Sequence, residues 1–267
     1  MPVGSLGFLT DLQIRRLAGA SIEDRGDRIV VRTTARPTYH WGNFVVVPDP
    51  QGRAEPSRWR AMFEEAHPGA AHVAIGVDAT AEDGALGPAA QEAGLVLDVS
   101  TVLVADRLSP PAHPNVDATY KVLEDDGDWV GAAALRAAVA HGDGRATAAD
   151  ARFLERSLTE MRNLSRAGHA VYLGACAGGE VLACLGIVAA GAGRLRYQQV
   201  ETHPAHRRRG LAGSLLHAAA AEGATRWPRA HQLVIVADPA GPAISLYRSL
   251  GFADAGQHLE LSAAPPA

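Results

Sequence analysis

Between Val200 and Leu216 the chain reads Val-Glu-Thr-His-Pro-Ala-His-Arg-Arg-Arg-Gly-Leu-Ala-Gly-Ser-Leu-Leu. β-favouring residues give way at Pro204 to three arginines, and from Gly210 the composition turns to Ala and Leu, so a strand is expected to hand over to a helix. The first turn of a helix has backbone N–H groups without intrahelical partners and carries the positive end of the helix dipole. Small residues at Gly210, Ala212 and Gly213 would let an anion approach those amides, and Arg207, Arg208 and Arg209 add fixed positive charge. The chemistry this combination supports is a grip on phosphate or pyrophosphate. Neither Gly-x-x-x-x-Gly-Lys-Ser/Thr nor Gly-x-Gly-x-x-Gly is present here, which excludes the usual nucleotide loops for this stretch.

The elements that must position this turn lie in the second half of the chain. Tyr120 to Leu123 reads as a strand, Asp128 to His141 as a helix, and Ala148 to Ala167 as a longer helix with Phe153, Leu154, Leu158, Met161 and Leu164 at helical spacing. Three strands follow, Ala170 to Ala177, Val181 to Ala190 and Leu195 to Thr202, with Gly178-Gly179 marking a hairpin between the first two. After the arginine turn and its helix come an apolar strand, Gln232 to Ala237, and a helix from Ala243.

The first half also reads as mixed α/β. Helices are expected near Thr10 to Ala20, with Thr10 or Asp11 as cap, at Ser57 to Ala66 and at Gly87 to Ala93. Strands are expected at Arg28 to Thr33, from Phe44, at Ala71 to Val77 and at Leu95 to Ala105. Tyr39, His40 and Trp41 cluster in a turn-like loop, either flanking an amine by cation–π contact or anchoring the loop in the core. Ser109-Pro-Pro-Ala-His-Pro-Asn, with its three prolines, reads as an extended linker. The expected division is 1–108, linker 109–116, and 117–267.

With 267 residues, 47% of them hydrophobic, the chain can furnish a globular core. A net charge of -4 attracts it to neither nucleic acid nor an anionic membrane, and neither is expected as a partner. The apolar run from Val181 to Gly193 is too short to span a bilayer. Cys176 and Cys184 sit in apolar segments and no signal-peptide pattern opens the chain, so a reducing, cytoplasmic setting is expected. Scattered histidines and unpaired cysteines suggest no metal site.

Arg207, Gly210 and Ala212 match the acyl-CoA signature Arg/Gln-x-x-Gly-x-Gly/Ala of the GNAT acetyltransferases, and Val200 to Pro204 has the strand-and-proline form seen before it. Downstream, Ala243-Ile-Ser-Leu-Tyr-Arg-Ser-Leu-Gly-Phe252 resembles that superfamily's closing helix with its Leu-Tyr and Gly-Phe pairs. The resemblance covers the last 150 or so residues and implies the GNAT fold, an α/β class with a mixed sheet; the smaller mixed α/β domain before it reads, from its element order alone, as a degenerate relative.

It further implies an N-acetyltransferase that uses acetyl-CoA, without a metal, to acetylate a primary amine of a small molecule or peptide by direct attack on the thioester. Arg207, Arg208, Arg209, Gly210, Leu211, Ala212, Gly213 and Ser214 would hold the pyrophosphate, and backbone groups of Val200 and Thr202 would pair with the pantetheine arm. Tyr247 would protonate the leaving sulfur, though the same position also suits a core tyrosine beside Ile244 and Leu250. Glu201 is a candidate base whose side chain, by strand alternation, points away from the face of Val200 and Thr202; it could instead pair with an arginine. His203 beside the Pro turn reads as structural. Ala240 stands where relatives carry a cofactor-contacting Asn, which favours the alternative of a non-catalytic acyl-CoA-binding module.

Overall fold

The computed structural model describes residues 1–48, 54–79, 84–142 and 147–263. In chain order the elements are α1 (Leu6–Leu17), β1 (Ser21–Asp24), β2 (Ile29–Arg32), β3 (Phe44–Pro48), α2 (Pro56–Ala66), β4 (Val73–Asp78), α3 (Leu86–Glu92) and β5 (Val96–Ala105). They continue as β6 (Thr119–Val122), α4 (Asp126–Gly142), α5 (Ala148–Arg166), β7 (Ala170–Ala177), β8 (Glu180–Ala189) and β9 (Arg194–Thr202). The last are α6 (Leu211–Arg226), β10 (Gln232–Ala237), α7 (Ala243–Ser249) and β11 (Ala253–Ala263).

Two compact units result. One combines Met1–Leu103, Val236–Ile244 and the stretch from Asp254 onward; the other combines Val104–Ile235 and Ser245–Ala253. They are not the consecutive blocks 1–108 and 117–267, because the final strand joins the first unit. β11 runs antiparallel to β4 with Leu259 opposite Val77 and Ala263 opposite Val73.

In the first unit the strands lie in the order β1-β2-β3-β4-β11-β5. Val30, Val31, Val45, Val46, Val47 and Ile75 are all buried, the unbroken apolar runs of strands covered on both faces. On α2, Trp59, Phe63 and Ala66 recur at helical spacing and are buried. α1 begins at Leu6, four residues before the expected cap. Buried Asp78 accepts the Gly4 and Ser5 amides at 2.9 and 2.8 Å, placing a carboxylate at the helix N-terminus, while Thr10 bonds back to the Leu6 and Gly7 carbonyls.

In the second unit the order is β10-β9-β8-β7-β6. α6 sets Leu211, Leu215, Leu216 and Ala219 into the core, and a Cβ on its Gly223 would crowd Leu195 and Ile187, so helix and sheet pack closely there. On α5, Met161 and Leu164 are buried, but Phe153 is 45% exposed and Ser157 is buried instead. The apolar stripe is therefore narrower than the spacing implies, because the helix accommodates a polar network described below.

The two halves repeat one another. β1-β2-β3-α2-β4-α3-β5 and β7-β8-β9-α6-β10-α7-β11 share the same order. Their first two strand pairs are antiparallel and their third is parallel in both. Among the described residues no helix is long and apolar enough to cross a membrane.

Candidate active site

β9 is a strand with a built-in irregularity. Cys184 pairs with Glu201 and Gly186 with Gln198, so Gln199 and Val200 together oppose Leu185. Gln199 has a φ of 53°, the left-handed value that lets one extra residue bulge from the ladder. On its other side β9 pairs with β10 from Arg194↔Gln232 to Arg196↔Val234, and Tyr197 to Thr202 run on beyond that register. Val200 and Thr202 lie in this overhang. The Thr202 carbonyl accepts from Arg207 Nε at 3.4 Å, so one arginine folds back on the strand end.

The strand then turns through a short 3-10 segment, Pro204–His206, capped by His203, whose Nδ1 accepts the Ala205 amide at 3.2 Å. Arg208 and Gly210 both adopt left-handed backbone, φ 62° and 77°, before α6 begins at Leu211. Arg207, Arg208 and Arg209 are exposed, and the first-turn amides of Leu211, Ala212 and Gly213 have no intrahelical acceptor.

The expectation that glycine opens room for phosphate is corrected. A Cβ on Gly210 would overlap the His113 carbonyl oxygen, and one on Gly213 would lie 3.3 Å from both Pro111 and Leu246. The space these glycines save is filled by protein, and the side open to an anion is that of the amides. Ser214 is buried, its Oγ accepting from the Asn115 amide at 2.9 Å.

Tyr247 on α7 is 6% exposed, set edge-on to Phe252, which in turn meets Tyr197 of β9. Burial pushes its hydroxyl up to about 12. Glu201 pairs with the buried Arg136 of α4 across 3.4 Å. Arg136 also reaches Ser157 Oγ at 3.3 Å and Met161 Sδ at 2.9 Å, and Gln199 Nε2 donates to the same Ser157 at 3.2 Å. The pairing of Glu201 with an arginine is the alternative its sequence position allowed, whereas the extension of that pair to Ser157, Met161 and Gln199 has no sequence expectation behind it. The signal that could have revealed this network is Arg136 itself, a cation standing within the apolar stripe of Ala132, Leu135, Val139 and Ala140.

Cys184, opposite Glu201 in register, is fully buried, and desolvation above all pushes its thiol up to about 12. Burial also raises Cys176.

Residues 141–252 match the family model described as Acetyltransferase (GNAT) family. That segment belongs to the GNAT acetyltransferases. The match spans the bulged strand, the arginine turn and Tyr247, and the family is one of acyltransferases. No curated protein matches the chain. Solved structures share the fold over both halves of the chain. A GCN5-related N-acetyltransferase from Kribbella flavida is 19% identical with a TM-score of 0.65, covering 98% of each chain. A tandem GNAT protein from the clavulanic acid biosynthesis pathway is 15% identical with a TM-score of 0.57, covering 100% of this chain and 90% of its own. A conserved protein of unknown function from Staphylococcus epidermidis ATCC 12228 reaches a TM-score of 0.73 at 10% identity, covering 93% and 96%. The repeated element order is thus that of a tandem GNAT fold.

The aromatic trio of the first unit separates. Tyr39 lies under the Arg36 guanidinium at 4.3 Å and near that of Arg15 at 5.3 Å, and Trp41 packs edge-on against Phe44. Trp41 thus packs against the core of its unit, and the Tyr39 ring is engaged by two guanidinium groups. His40 stacks on His72 at 4.2 Å and, with His67 and Arg32, lines a cavity of about 490 Å³. Burial lowers His40 and, as the largest cause, takes His67 down to about 4. Elsewhere in this unit the fold brings Asp11 of α1 to His258 and Glu260, which stand two residues apart on β11.

Proposed function

We propose that the second unit transfers the acetyl group of acetyl-CoA to a primary amine of a small molecule or peptide. The observation that carries this reading is the bulged β9 running into the arginine turn at the N-terminus of α6, inside the segment that matches the family. The first-turn amides and Arg207 to Arg209 would hold the pyrophosphate, and the overhanging backbone of Val200 and Thr202 would pair with the pantetheine amides. The amine nitrogen attacks the thioester carbonyl carbon, the C–S bond breaks, and the nitrogen loses a proton as the amide forms. Glu201 is the group proposed to take that proton, through water. Its carboxylate is held 3.4 Å from the Arg136 guanidinium, which fixes its position beside the bulge of β9.

Tyr247 would serve the leaving sulfur. A hydroxyl at about 12 is a weaker acid than an alkyl thiol of about 8.5, so it would support the departing thiolate by hydrogen bonding and not by full protonation. Tyr247→Phe is accordingly expected to lower kcat by about tenfold to a hundredfold, the size of one hydrogen bond to a charged group, with little change in donor affinity, measured as free thiol release at saturating acetyl-CoA.

The test of the function is thiol release from acetyl-CoA across a panel of amines. A non-catalytic acyl-CoA-binding module is the second reading, favoured by the engagement of Glu201 with Arg136 and the burial of Tyr247. It predicts stabilisation by acetyl-CoA and no thiol release with any amine.

A further inference from the structure

The proline-rich stretch read as a linker is bound along its length to the second unit. The Ser109 amide donates to the Leu250 carbonyl at 2.9 Å, just past α7. Pro111 packs at Gly213 beside Leu246, the neighbour of Tyr247, and the His113 carbonyl faces Gly210. The segment then ends on Asn115. Its amide donates to Ser214 Oγ and its Nδ2 to the Arg209 carbonyl, both at 2.9 Å. Its Oδ1 accepts the Asp117 and Ala118 amides at 3.2 and 3.0 Å, and its carbonyl accepts from the Tyr120 hydroxyl at 3.1 Å.

We propose that Asn115 is a positioning residue of the donor site, aiming the Gly210 amide and the Ser214 hydroxyl at the acyl-CoA pyrophosphate. The inference rests on the acyl-CoA reading above. Its geometric basis is the planarity of the peptide unit. The described peptides are all trans, and in a trans peptide the carbonyl of one residue and the N–H of the next point in opposite directions. Holding the Arg209 carbonyl against Asn115 therefore turns the Gly210 N–H away from the 109–115 segment, toward the open side of the turn. Ser214 Oγ already accepts from Asn115, so its own O–H remains a donor. Without Asn115 the left-handed Gly210, whose backbone has wide freedom, could rotate that amide out of line. The same segment bridges the end of α7 and the start of α6, so it also fixes how far the turn stands from the helix that carries Tyr247.

The test is calorimetric titration of CoA onto the full chain and two neutral variants. Asn115→Ser keeps a single short hydroxyl for the turn amides and loses the amide-nitrogen arm that reaches the Arg209 carbonyl, and Asn115→Ala removes both side-chain functions. Neither introduces a charge that would repel an anion. Each is expected to weaken CoA binding about tenfold, the size of one well-placed hydrogen bond to a charged ligand's cradle. With an active amine in hand, KM for acetyl-CoA should rise while kcat at saturating donor stays within about twofold. A residue that only stabilised the fold would lower the melting temperature and leave the Kd of the folded protein unchanged. CoA affinities equal to wild type in both variants overturn this inference and leave the acyl-CoA reading standing; failure of the wild type to bind CoA overturns that reading and this one together.

Discussion

Gly210→Ala is expected to destabilise the protein by about 2–4 kcal/mol and to weaken CoA binding by tenfold or more. Gly210 has a φ of 77°, where an L side chain costs about 1–2 kcal/mol by its own sterics. The added methyl would also overlap the His113 carbonyl oxygen, with the Asn115 nitrogen 3.1 Å away and the Pro114 carbonyl carbon 3.4 Å away. All three are backbone atoms and cannot swing aside as a side-chain end would. The 113–115 segment must shift, carrying with it the bonds from Asn115 to Arg209 and Ser214. Gly168 supplies the comparison, since its φ is 74° but nothing lies within 4 Å of a Cβ placed there. Gly168→Ala should show the conformational cost alone, about 1 kcal/mol, with CoA affinity unchanged. Denaturant unfolding and calorimetry of the two variants side by side measure the difference.

The second large effect concerns pH and belongs to the first unit. His258 of β11 is 4% exposed, with Nε2 at 3.3 Å from Asp11 Oδ2 and 3.2 Å from Glu260 Oε1. Desolvation of the buried ring acts to lower its pKa, but the hydrogen bonds and charges of the two carboxylates outweigh it and raise the value to about 9. A folded-state value above the ordinary 6.5 means the protonated ring is bound more tightly in the native state than in the unfolded one. The stabilisation is complete below about pH 6.5 and is lost as pH rises through about 9. The full swing is on the order of 3 kcal/mol, reduced by solvent screening at the partly exposed carboxylates. Urea unfolding between pH 6 and 10 should show this decline, and His258→Gln should flatten it. The variant should also be less stable at neutral pH, because two carboxylates then face each other without a cation. A variant that loses stability with pH as steeply as wild type would remove His258 from this role.

What could be read from sequence was what is local. The arginine turn and α6 follow from a glycine, a charge run and a helical period within 17 residues, Val200 to Leu216. β7 and β8 follow from apolar runs broken at Gly178-Gly179. β1 escaped because Ser21-Ile-Glu-Asp lies largely exposed, and a polar edge strand has no alternating apolar signal to display. Without it the repeat of the two halves was only a hint. α1 was started late because its N-terminal anion is Asp78, more than 70 residues away. Distance in sequence likewise hid Asn115, which meets its partners 94 and 99 residues downstream, and the approach of Asp11 to the neighbouring pair His258 and Glu260. Prolines in the 109–116 stretch correctly imply extended backbone, but extension does not distinguish a free spacer from a segment packed along two helices. Glu201 was placed on β9 correctly, whereas its partner could be known only once α4 was docked against that strand.

The most direct test of the account is a calorimetric titration of acetyl-CoA onto the wild-type chain. Saturable binding at one site per chain, with a Kd in the micromolar range typical of such co-substrates, about 1 μM to 1 mM, is the predicted result. Absence of saturable binding up to millimolar acetyl-CoA would contradict it.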